Sequence, residues 1–302
     1  MDGRGHVPIL LTSIVLWAST FPLISVGLEY FPPMVMALLR YGLALIPLFF
    51  FLLRDKSVRE IWFLLKERWL LFIGVGLTTT TLPQFFQNYG MLHVSASETS
   101  IIQASNPVFG VLFGILLLKE QAKKEKMIGV TIALFGAIFL STGGNLENIG
   151  SGDSFWAFLI LLSAIVYAFS GVMVKRGLER TDALTITTLG IAMGTIFCIP
   201  FLLIPGELAW FSQPTLGPIP LSILIYLATL PTGLAMVLWF RTMANMELSR
   251  IAIYVYLIPV FATAISVLFF GEKITSIMVV AGVMIIAGVA LAQYAPKRAP
   301  LP

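Results

Sequence analysis

Long apolar runs, separated by short polar segments, recur along the whole chain. A helix that crosses the hydrocarbon core of a bilayer needs roughly 20 predominantly apolar residues. On this criterion the pattern predicts ten transmembrane helices, five in each half of the chain. The predicted spans are residues 7–28, 33–53, 69–89, 97–118, 126–142, 154–174, 183–204, 220–240, 248–270 and 274–294.

The composition supports this prediction. The chain has 302 residues, of which 58% are hydrophobic and 11% charged, whereas a soluble domain carries about 25% charged residues. Such a composition excludes a soluble enzyme, a disordered protein and a disulfide scaffold, and the single cysteine cannot form an internal disulfide. The apolar runs are continuous rather than alternating, which disfavours a transmembrane β-barrel. We therefore predict an all-α integral membrane protein.

The basic residues predict how the helices are oriented. If successive helices cross in alternating directions, all but Arg40 and Lys273 of the 19 Lys and Arg residues fall on the side of the N-terminus. Short loops that face the cytoplasm are enriched in Lys and Arg. The sequence thus predicts a multi-pass protein of the plasma (cytoplasmic) membrane with both termini in the cytoplasm.

An internal repeat relates the two halves. Displacing the sequence by 152 positions places residues 88–142 on 240–294 without a gap and aligns the Pro-Val-Phe segments at 107–109 and 259–261. The spacing from this proline to the following glutamate, Glu120 or Glu272, is also equal. Because each half holds five helices, an odd number, the second copy must enter the membrane inverted. We predict two inverted five-helix repeats, residues 1–147 and 148–302, an architecture typical of secondary transporters.

Several segments resemble a known family. They are Gly-Met-Leu-His-Val-Ser-Ala-Ser at 90–97, Asn-Pro-Val-Phe at 106–109, Leu-Leu-Leu-Lys-Glu at 116–120, Leu-Ser-Arg-Ile at 248–251, Leu-Ile-Pro-Val at 257–260, Phe-Phe-Gly-Glu at 269–272, Trp-Ala-Ser at 17–19 and Ala-Leu-Leu-Arg-Tyr at 37–41. Together they resemble the repeat of the drug/metabolite transporter superfamily, EamA type. The resemblance implies ten helices, cytoplasmic termini, a central cavity and alternating access. Members of this family mostly move amino acids and other small metabolites, often outward.

Polar side chains within the predicted spans are the first candidates for a solute site, because polar groups are costly in lipid. In the third span, helical spacing places Thr80, Gln84, Gln87 and Asn88 on one face. These side chains either line a polar cavity or form hydrogen bonds between helices.

The fourth span carries a second polar face with Gln103 and Asn106. Pro107 cannot donate to the carbonyl of Gln103, so we expect a kink and a freed carbonyl there. Two alternatives are open: the freed carbonyl contacts the solute, or the kink has only a structural role in shaping the bundle. Similar bends are expected at Pro22, Pro83, Pro231 and Pro259.

Aromatic side chains form a third group of candidates. They can stack on a ring or surround an ammonium group, although aromatic residues near span ends more often anchor a helix at the membrane interface. The candidates are Trp17, Tyr167, Trp239, Tyr254 and Tyr256.

Two charged residues complete the candidate site. Arg40 lies about seven residues inside the second span. Three alternatives are open there: the side chain extends to the outer interface, it pairs with an acid, or it holds an anionic group of the substrate. Glu98 is the best candidate for that acid, and together they would leave the cavity nearly neutral. Glu98 alternatively stabilises the N-terminus of its own helix or binds a substrate amine or proton. It departs from the family pattern, in which small or apolar residues are commoner at this position.

Other chemistry is sparse. The two histidines lack metal-ligand spacing and there is no P-loop. We therefore predict no cofactor, no metal, no nucleic-acid partner and no enzymatic activity, and we expect Glu120 and Glu272 to cap or brace loops. The favoured hypothesis is a secondary transporter of a small solute such as an amino acid, and the resemblance implies an exporter.

The predicted partners are this solute and membrane lipid, with the oligomeric state left open. A channel or membrane scaffold is the alternative hypothesis. A membrane enzyme acting on a lipid-linked substrate is the least supported, because the sequence has no cluster of acids, histidines or metal ligands near one membrane face.

Overall fold

The computed structural model describes residues 6–118, 124–145, 152–212, 216–245, 255 and 257–293. These residues are almost entirely helical, and no β-strand occurs among them. The helices of the first half are α1 (His6–Ala18), α2 (Thr20–Gly27), α3 (Pro33–Asp55), α4 (Val58–Gly76), α5 (Leu82–Met91), α6 (Ala96–Gln103), α7 (Asn106–Leu118) and α8 (Lys124–Ser141). Those of the second half are α9 (Gly152–Leu178), α10 (Ala183–Cys198), α11 (Pro218–Leu227), α12 (Ala235–Asn245), α13 (Leu257–Phe270) and α14 (Ser276–Gln293).

In the described ranges, seven helical stretches are long and apolar enough to cross a membrane. Three shorter apolar helices accompany them, at Met127–Ser141, Leu257–Phe270 and Ser276–Ala292. Every predicted span overlaps at least one helix. The chain is therefore an all-helical, multi-pass membrane protein, while the number of ten crossings and their inverted arrangement stay predictions.

Helices are interrupted near four of the five prolines at which the sequence predicted bends, while Pro259 lies in the first turn of α13. A gap of one residue separates α1 from α2, just ahead of Pro22, and a short turn separates α6 from α7, just ahead of Pro107. Pro83 follows a π-helical segment, and Pro231 lies inside another. Proline has no N–H to donate and its ring clashes with the carbonyl four residues earlier, so the helix breaks or widens at these places.

The two π-helical segments occupy matching places in the two halves. Displaced by 152 residues, Leu77–Thr81 falls at 229–233, inside Ala228–Leu234. The first segment packs on α10 and the second on α3, so each contacts a helix of the other half. At the first contact, the Thr81 hydroxyl donates a 2.8 Å hydrogen bond to the backbone oxygen of Gly194.

Small residues let helices of opposite halves approach closely, as is common in membrane proteins. A side chain added at Gly129 of α8 would overlap the backbone of Gly288 and Ala292 in α14. One added at Gly194 of α10 would overlap the backbone of Gly76 at the end of α4. The two halves therefore meet in backbone-to-backbone contact along two separate seams.

The bundle has two distinguishable ends. Gly90 in α5 contacts Trp156 near the start of α9, whereas Gly74 in α4 contacts Met173 near its end. The α4–α5 stretch and α9 are therefore antiparallel. We call the end that carries Gly90 and Trp156 the Glu207 end, because Tyr89 bonds Glu207 there, and the opposite end the Lys175 end.

Candidate functional site

A cavity of about 500 Å³ lies between the two halves. Its volume is within the range of pockets that enclose small molecules. Eight of the predicted site residues line it: Trp17, Arg40, Gln84, Gln87, Gln103, Asn106, Tyr167 and Trp239. The helix breaks and the π-helical segments lie beside this cavity, and Pro83, Pro107, Pro231 and Pro259 are among its lining residues.

Thr80 does not line the cavity, and its neighbour Thr79 takes that place. Thr80 is fully buried against Gly194 of α10. The prediction assumed regular α-helical spacing from Thr80 to Gln84, but these residues span the π-helical segment Leu77–Thr81. The wider π turn shifts the register by about one residue, which explains why Thr79 rather than Thr80 lines the cavity.

Asn88 and Glu98 also lie outside the cavity lining. The Asn88 amide donates a 2.9 Å hydrogen bond to the backbone oxygen of Pro33, so it ties α5 to the start of α3. Glu98 lies in the first turn of α6, where its backbone N–H donates to the Ser95 hydroxyl at 3.2 Å. Its position fits the alternative of a helix-terminus carboxylate. Tyr254 and Tyr256 lie outside the described residues.

An amide network forms one wall of the cavity. Gln103 Nε2 donates hydrogen bonds to Gln87 Oε1 at 3.0 Å and to Ser163 Oγ at 2.9 Å. Asn106 Nδ2 donates to the backbone oxygen of Ala164 at 2.9 Å. These contacts join α5 and the α6–α7 region to α9, so the side chains on this wall are held in fixed orientations.

Gln84 differs from its neighbours because its buried Oε1 atom accepts no hydrogen bond from the described residues. A buried acceptor left unpaired costs about 1–3 kcal/mol. Since Gln84 lines the cavity, its oxygen is available to an N–H or O–H donor bound there.

Arg40 lies inside the bundle rather than at the membrane interface. Its side chain is 6% exposed, and its Nε donates a 2.7 Å hydrogen bond to Thr232 Oγ1 in the second π-helical segment. Its Cζ lies 5.1 Å from the ring centroid of Tyr41, a distance typical of a cation–π contact.

The expected ion pair between Arg40 and Glu98 is not formed. Among the described residues, a charged pair with an N–O distance below 4.0 Å is formed by Lys56 and Asp182, and not by Arg40 and Glu98. The described lining of the cavity includes Arg40 and Lys175 but no Asp or Glu. The predicted charge balance of the cavity is therefore wrong, because Glu98 lies at the start of α6 and outside the lining.

Two tryptophans from opposite halves form the aromatic wall. The rings of Trp17 and Trp239 lie 4.9 Å apart between centroids at an interplanar angle of 54°. Trp17 Nε1 donates a 3.0 Å hydrogen bond to the backbone oxygen of Pro231. This bond fixes the ring of Trp17 and satisfies a carbonyl inside the irregular π-helical segment.

Sequence reasoning did not select several lining residues. Tyr41 lies beside Arg40 in a segment that drew attention only for its family resemblance. Ser163 and Ser170 are single hydroxyl residues, and the sequence criterion required several polar residues spaced along one helix face. Glu207 was also missed, because it lies in a connection rather than in a span. It is 2% exposed, and a buried acid in a connection has no distinctive sequence pattern.

The cavity opens toward one end of the bundle. Its lining extends to the exposed Lys175 in the last turn of α9 and to Ala292 in the last turn of α14. Toward the other end the lining stops at Gln87 and Ser100. These residues lie about one turn before the last residue of α5 and one turn after the first residue of α6. The site is therefore reached from the Lys175 end and closed at the Glu207 end.

Comparison with known proteins places this bundle in a family. The model of the EamA-like transporter family matches the chain twice, over residues 6–142 and again over residues 154–294. The chain belongs to the EamA-like transporter family. Because members of this family are transporters, the protein is a membrane transporter and not an enzyme, and the family resemblance predicted from sequence is confirmed.

Relatives match over nearly their whole length. A protein of Archaeoglobus fulgidus named "Uncharacterized transporter" is 30% identical over 96% of this chain and 98% of its own. A "Probable terminal-alkyne amino-acid exporter" of Streptantibioticus cattleyicolor is 28% identical over 93% of this chain and 91% of its own. A "Probable amino-acid metabolite efflux pump" of Salmonella typhimurium is 25% identical over 92% of this chain and 91% of its own.

A solved crystal structure has the same fold. It superposes with a TM-score of 0.65 over 96% of this chain and 97% of its own, at 18% sequence identity. At this level of identity the likeness describes the fold alone.

Proposed function

We propose that this transporter exports amino acids or similar small metabolites by alternating access, with the solute bound in the central cavity. The observation that carries the proposal is Arg40, a buried cation that lines the cavity without a carboxylate within 4.0 Å among the described residues. A charge removed from water is costly unless it is paired. A solute carboxylate supplies that partner.

The rest of the cavity suits a zwitterionic solute. The unpaired Gln84 oxygen can accept a hydrogen bond from a solute ammonium group. The Trp17 and Trp239 rings offer an apolar surface for a side chain, and tryptophan faces also attract cations. The relatives named as amino-acid exporters support the same solute class and an outward direction.

We propose that residues 1–147 and 148–302 form two inverted repeats of five transmembrane helices. Three observations support this arrangement. The family model matches once in each half, and the π-helical segments lie at matching positions. Contacts between the halves also occur in equivalent pairs, since the first π-helical segment packs on α10, the second packs on α3, and α8 packs along its counterpart α14.

We further propose that the Lys175 end faces the cytoplasm, together with both termini. Exposed basic side chains gather at this end of the described bundle, whereas the Glu207 end carries Lys273 in the connection before α14. This distribution agrees with the enrichment of Lys and Arg on the cytoplasmic side. The cavity then faces inward, as an exporter requires when it takes up its solute.

Counterflow in proteoliposomes tests the proposed function. Arg40→Gln should lower amino-acid counterflow roughly tenfold or more, because a hydrogen bond to a charged group contributes about 1.5–3 kcal/mol. Arg40→Lys should retain part of the activity, since it keeps the charge but loses the planar fork of donors. Amino-acid amides lack the carboxylate, so they should compete poorly with amino acids for transport by the wild-type protein.

Arg59→Gln, at an exposed arginine in the first turn of α4, is the matched control and should leave counterflow unchanged. Elution profile and thermal stability establish that each variant is folded. Wild-type counterflow in folded Arg40→Gln would contradict the role of Arg40. Absence of counterflow for every amino acid in the wild-type protein would contradict the solute class.

A further inference from the structure

The closed end of the bundle contains a buried carboxylate from the connection between α10 and α11. The two carboxylate oxygens of Glu207 accept hydrogen bonds from Met34 N at 3.0 and 3.1 Å and from Val35 N at 2.9 Å. Glu207 Oε1 also accepts a 2.7 Å hydrogen bond from the Tyr89 hydroxyl. One residue of the second half is thereby tied to α3 and α5 of the first half.

A second carboxylate makes the same kind of contact nearby. Glu272, in the connection between α13 and α14, accepts hydrogen bonds from Ala96 N and Ser97 N, both at 3.0 Å. It therefore ties the second half to the start of α6 in the first half. This contact confirms the expectation that Glu272 braces a helix end, while Glu120 lies outside the described residues.

Both helices depend on these contacts for their first turn. The residue before α3 is Pro32, which supplies no side-chain hydrogen bond to the helix. Ser95 before α6 accepts only the N–H of Glu98. The first N–H groups of a helix have no partner within it and carry partial positive charge. The two glutamates supply acceptors and negative charge at these positions.

The described residues at the opposite end join the halves through a different kind of contact. There α10 carries its own cap, since Asp182 accepts the N–H of Thr185 at 2.9 Å. Among the described residues there, the halves are joined by a 2.9 Å hydrogen bond from Arg68 Nη1 to Thr181 Oγ1 and by the 3.1 Å ion pair between Asp182 and Lys56, whose side chains are 43% and 27% exposed. Exposed ion pairs contribute little to stability. Within the described part of the chain, the contacts in which a carboxylate of one half accepts backbone N–H groups of the other half are thus those of Glu207 and Glu272 at the closed end.

We infer that Glu207 and Glu272 are positioning residues of the transport cycle, which hold the Glu207 end shut while the cavity is open at the Lys175 end. The inference rests on the proposed alternating access, because a solute can leave at the Glu207 end only if the halves separate there. The contacts of both glutamates join the halves at this end, so they break and re-form in every cycle. The strength of these contacts between the two carboxylates and the helix N-termini sets the equilibrium between the state open at the Lys175 end and the state open at the Glu207 end.

Labelling of a reporter cysteine tests the inference. Ser100 lines the cavity one turn inside the start of α6, so Ser100→Cys in a Cys198→Ser background reports access from either face. A membrane-impermeant maleimide is applied to right-side-out spheroplasts and to inverted vesicles. Glu207→Gln and Glu272→Gln should each raise the labelling rate from the Glu207 end roughly tenfold, the shift expected from losing one charged hydrogen bond. The labelling rate from the Lys175 end should fall.

The matched control is Glu29→Gln, an exposed glutamate in the turn after α2 at the same end. It should leave the labelling rates from both faces unchanged. Lower thermal stability with unchanged labelling in Glu207→Gln and Glu272→Gln would mean that both glutamates are static caps, and would overturn the inference. If neither variant folds, Tyr89→Phe removes a single hydrogen bond to Glu207. It should raise labelling from the Glu207 end to a smaller extent, and no rise would equally overturn the inference.

The labelling assay requires no solute, so the test of the glutamates is independent of the counterflow test of the proposed function. Altered labelling without amino-acid counterflow would refute the solute class and leave the role of the glutamates standing. Normal counterflow with labelling that does not respond to Glu207→Gln or Glu272→Gln would refute the role of the glutamates and leave the solute class standing.

Discussion

Most polar side chains of the cavity are already engaged with one another, which leaves few groups to select a solute. Gln87, Gln103 and Asn106 bond to neighbouring groups of the protein. The Gln84 oxygen and the guanidinium of Arg40 retain unused hydrogen-bonding capacity toward the cavity. On the proposed function, the Gln84 oxygen and Arg40 are therefore the groups expected to select the solute, and the hydrogen-bonded amides hold their surroundings in place.

The sequence predicted part of this site at the residue scale. Helical spacing correctly brought Gln84 and Gln87 to the cavity, because both lie in the regular helix α5. Thr80, across the π-helical segment, and Asn88, which bonds to Pro33 of another element, instead fit the alternative of contacts between helices. Hydrogen bonds between distant elements follow from the tertiary fold, which the local pattern does not contain.

Asp182 carries a prediction about pH. Partial burial alone would raise the pKa of Asp182, but hydrogen bonds from Thr185 and Lys56 outweigh it and hold the pKa below its ordinary value of 3.8. The hydrogen bond to Asp182 in turn raises the pKa of Lys56. A carboxyl group with a lowered pKa stabilises the folded state above its ordinary pKa, and this contribution is lost as the pH falls through the lowered value.

Asp182→Asn should therefore reduce the free energy of unfolding by about 1 kcal/mol or less near neutral pH, as for other exposed pairs. The difference from wild type should vanish in acid, below the lowered pKa of Asp182. Asn keeps the helix cap, so Asp182→Ala should stay less stable than wild type at every pH. Thermal unfolding from pH 2 to 8 measures all three proteins, and a pH-independent difference for Asp182→Asn would contradict this account.

At the scale of elements, prolines and glycines determine how the helices bend and meet. The sequence predicted the bends because proline acts on its own helix through a missing N–H. It did not predict that Gly76, Gly190 and Gly194 face one another, since that contact joins distant elements.

Gly194 and Gly42 provide a matched pair of helical glycines. Gly194→Ala should lower the free energy of unfolding by about 1–3 kcal/mol, because the added methyl group overlaps the backbone oxygen of Gly76 and the side chain of Thr80. A methyl group at Gly42 meets nothing within 4 Å. Gly42→Ala should therefore be neutral or stabilising by up to about 1 kcal/mol. Thermal unfolding in detergent measures both, and equal effects would argue against the close contact of α4 with α10.

At the scale of the whole molecule, the sequence predicted the fold class and the family, because apolar length and the repeat are properties of the chain itself. It did not predict which end of the bundle is closed. That asymmetry depends on Glu207 and Glu272 reaching helices far away in sequence. The predicted pairing of Arg40 with Glu98 failed for the same reason.

Alternating access predicts that joining the two halves at the Glu207 end stops transport. Tyr89→Cys with Glu207→Cys, in a Cys198→Ser background, places one thiol in each half, at two residues whose native side chains are joined by a 2.7 Å hydrogen bond. A short bifunctional thiol reagent should abolish counterflow, and a cleavable linker should restore it on reduction. The same reagent on each single-cysteine protein is the control. Full counterflow after complete cross-linking would exclude alternating access.

The seam between α8 and α14 limits how the molecule can move. Along it Gly129, Gly288 and Ala292 bring two backbones into direct contact, and pulling such surfaces apart would sacrifice dense van der Waals packing with nothing to replace it. The same cost applies to the second seam, where Gly76 of α4 meets Gly194 of α10. Separation at the Glu207 end is therefore expected to proceed as a rotation that keeps both lines of contact closed, so that they act as hinges between the halves.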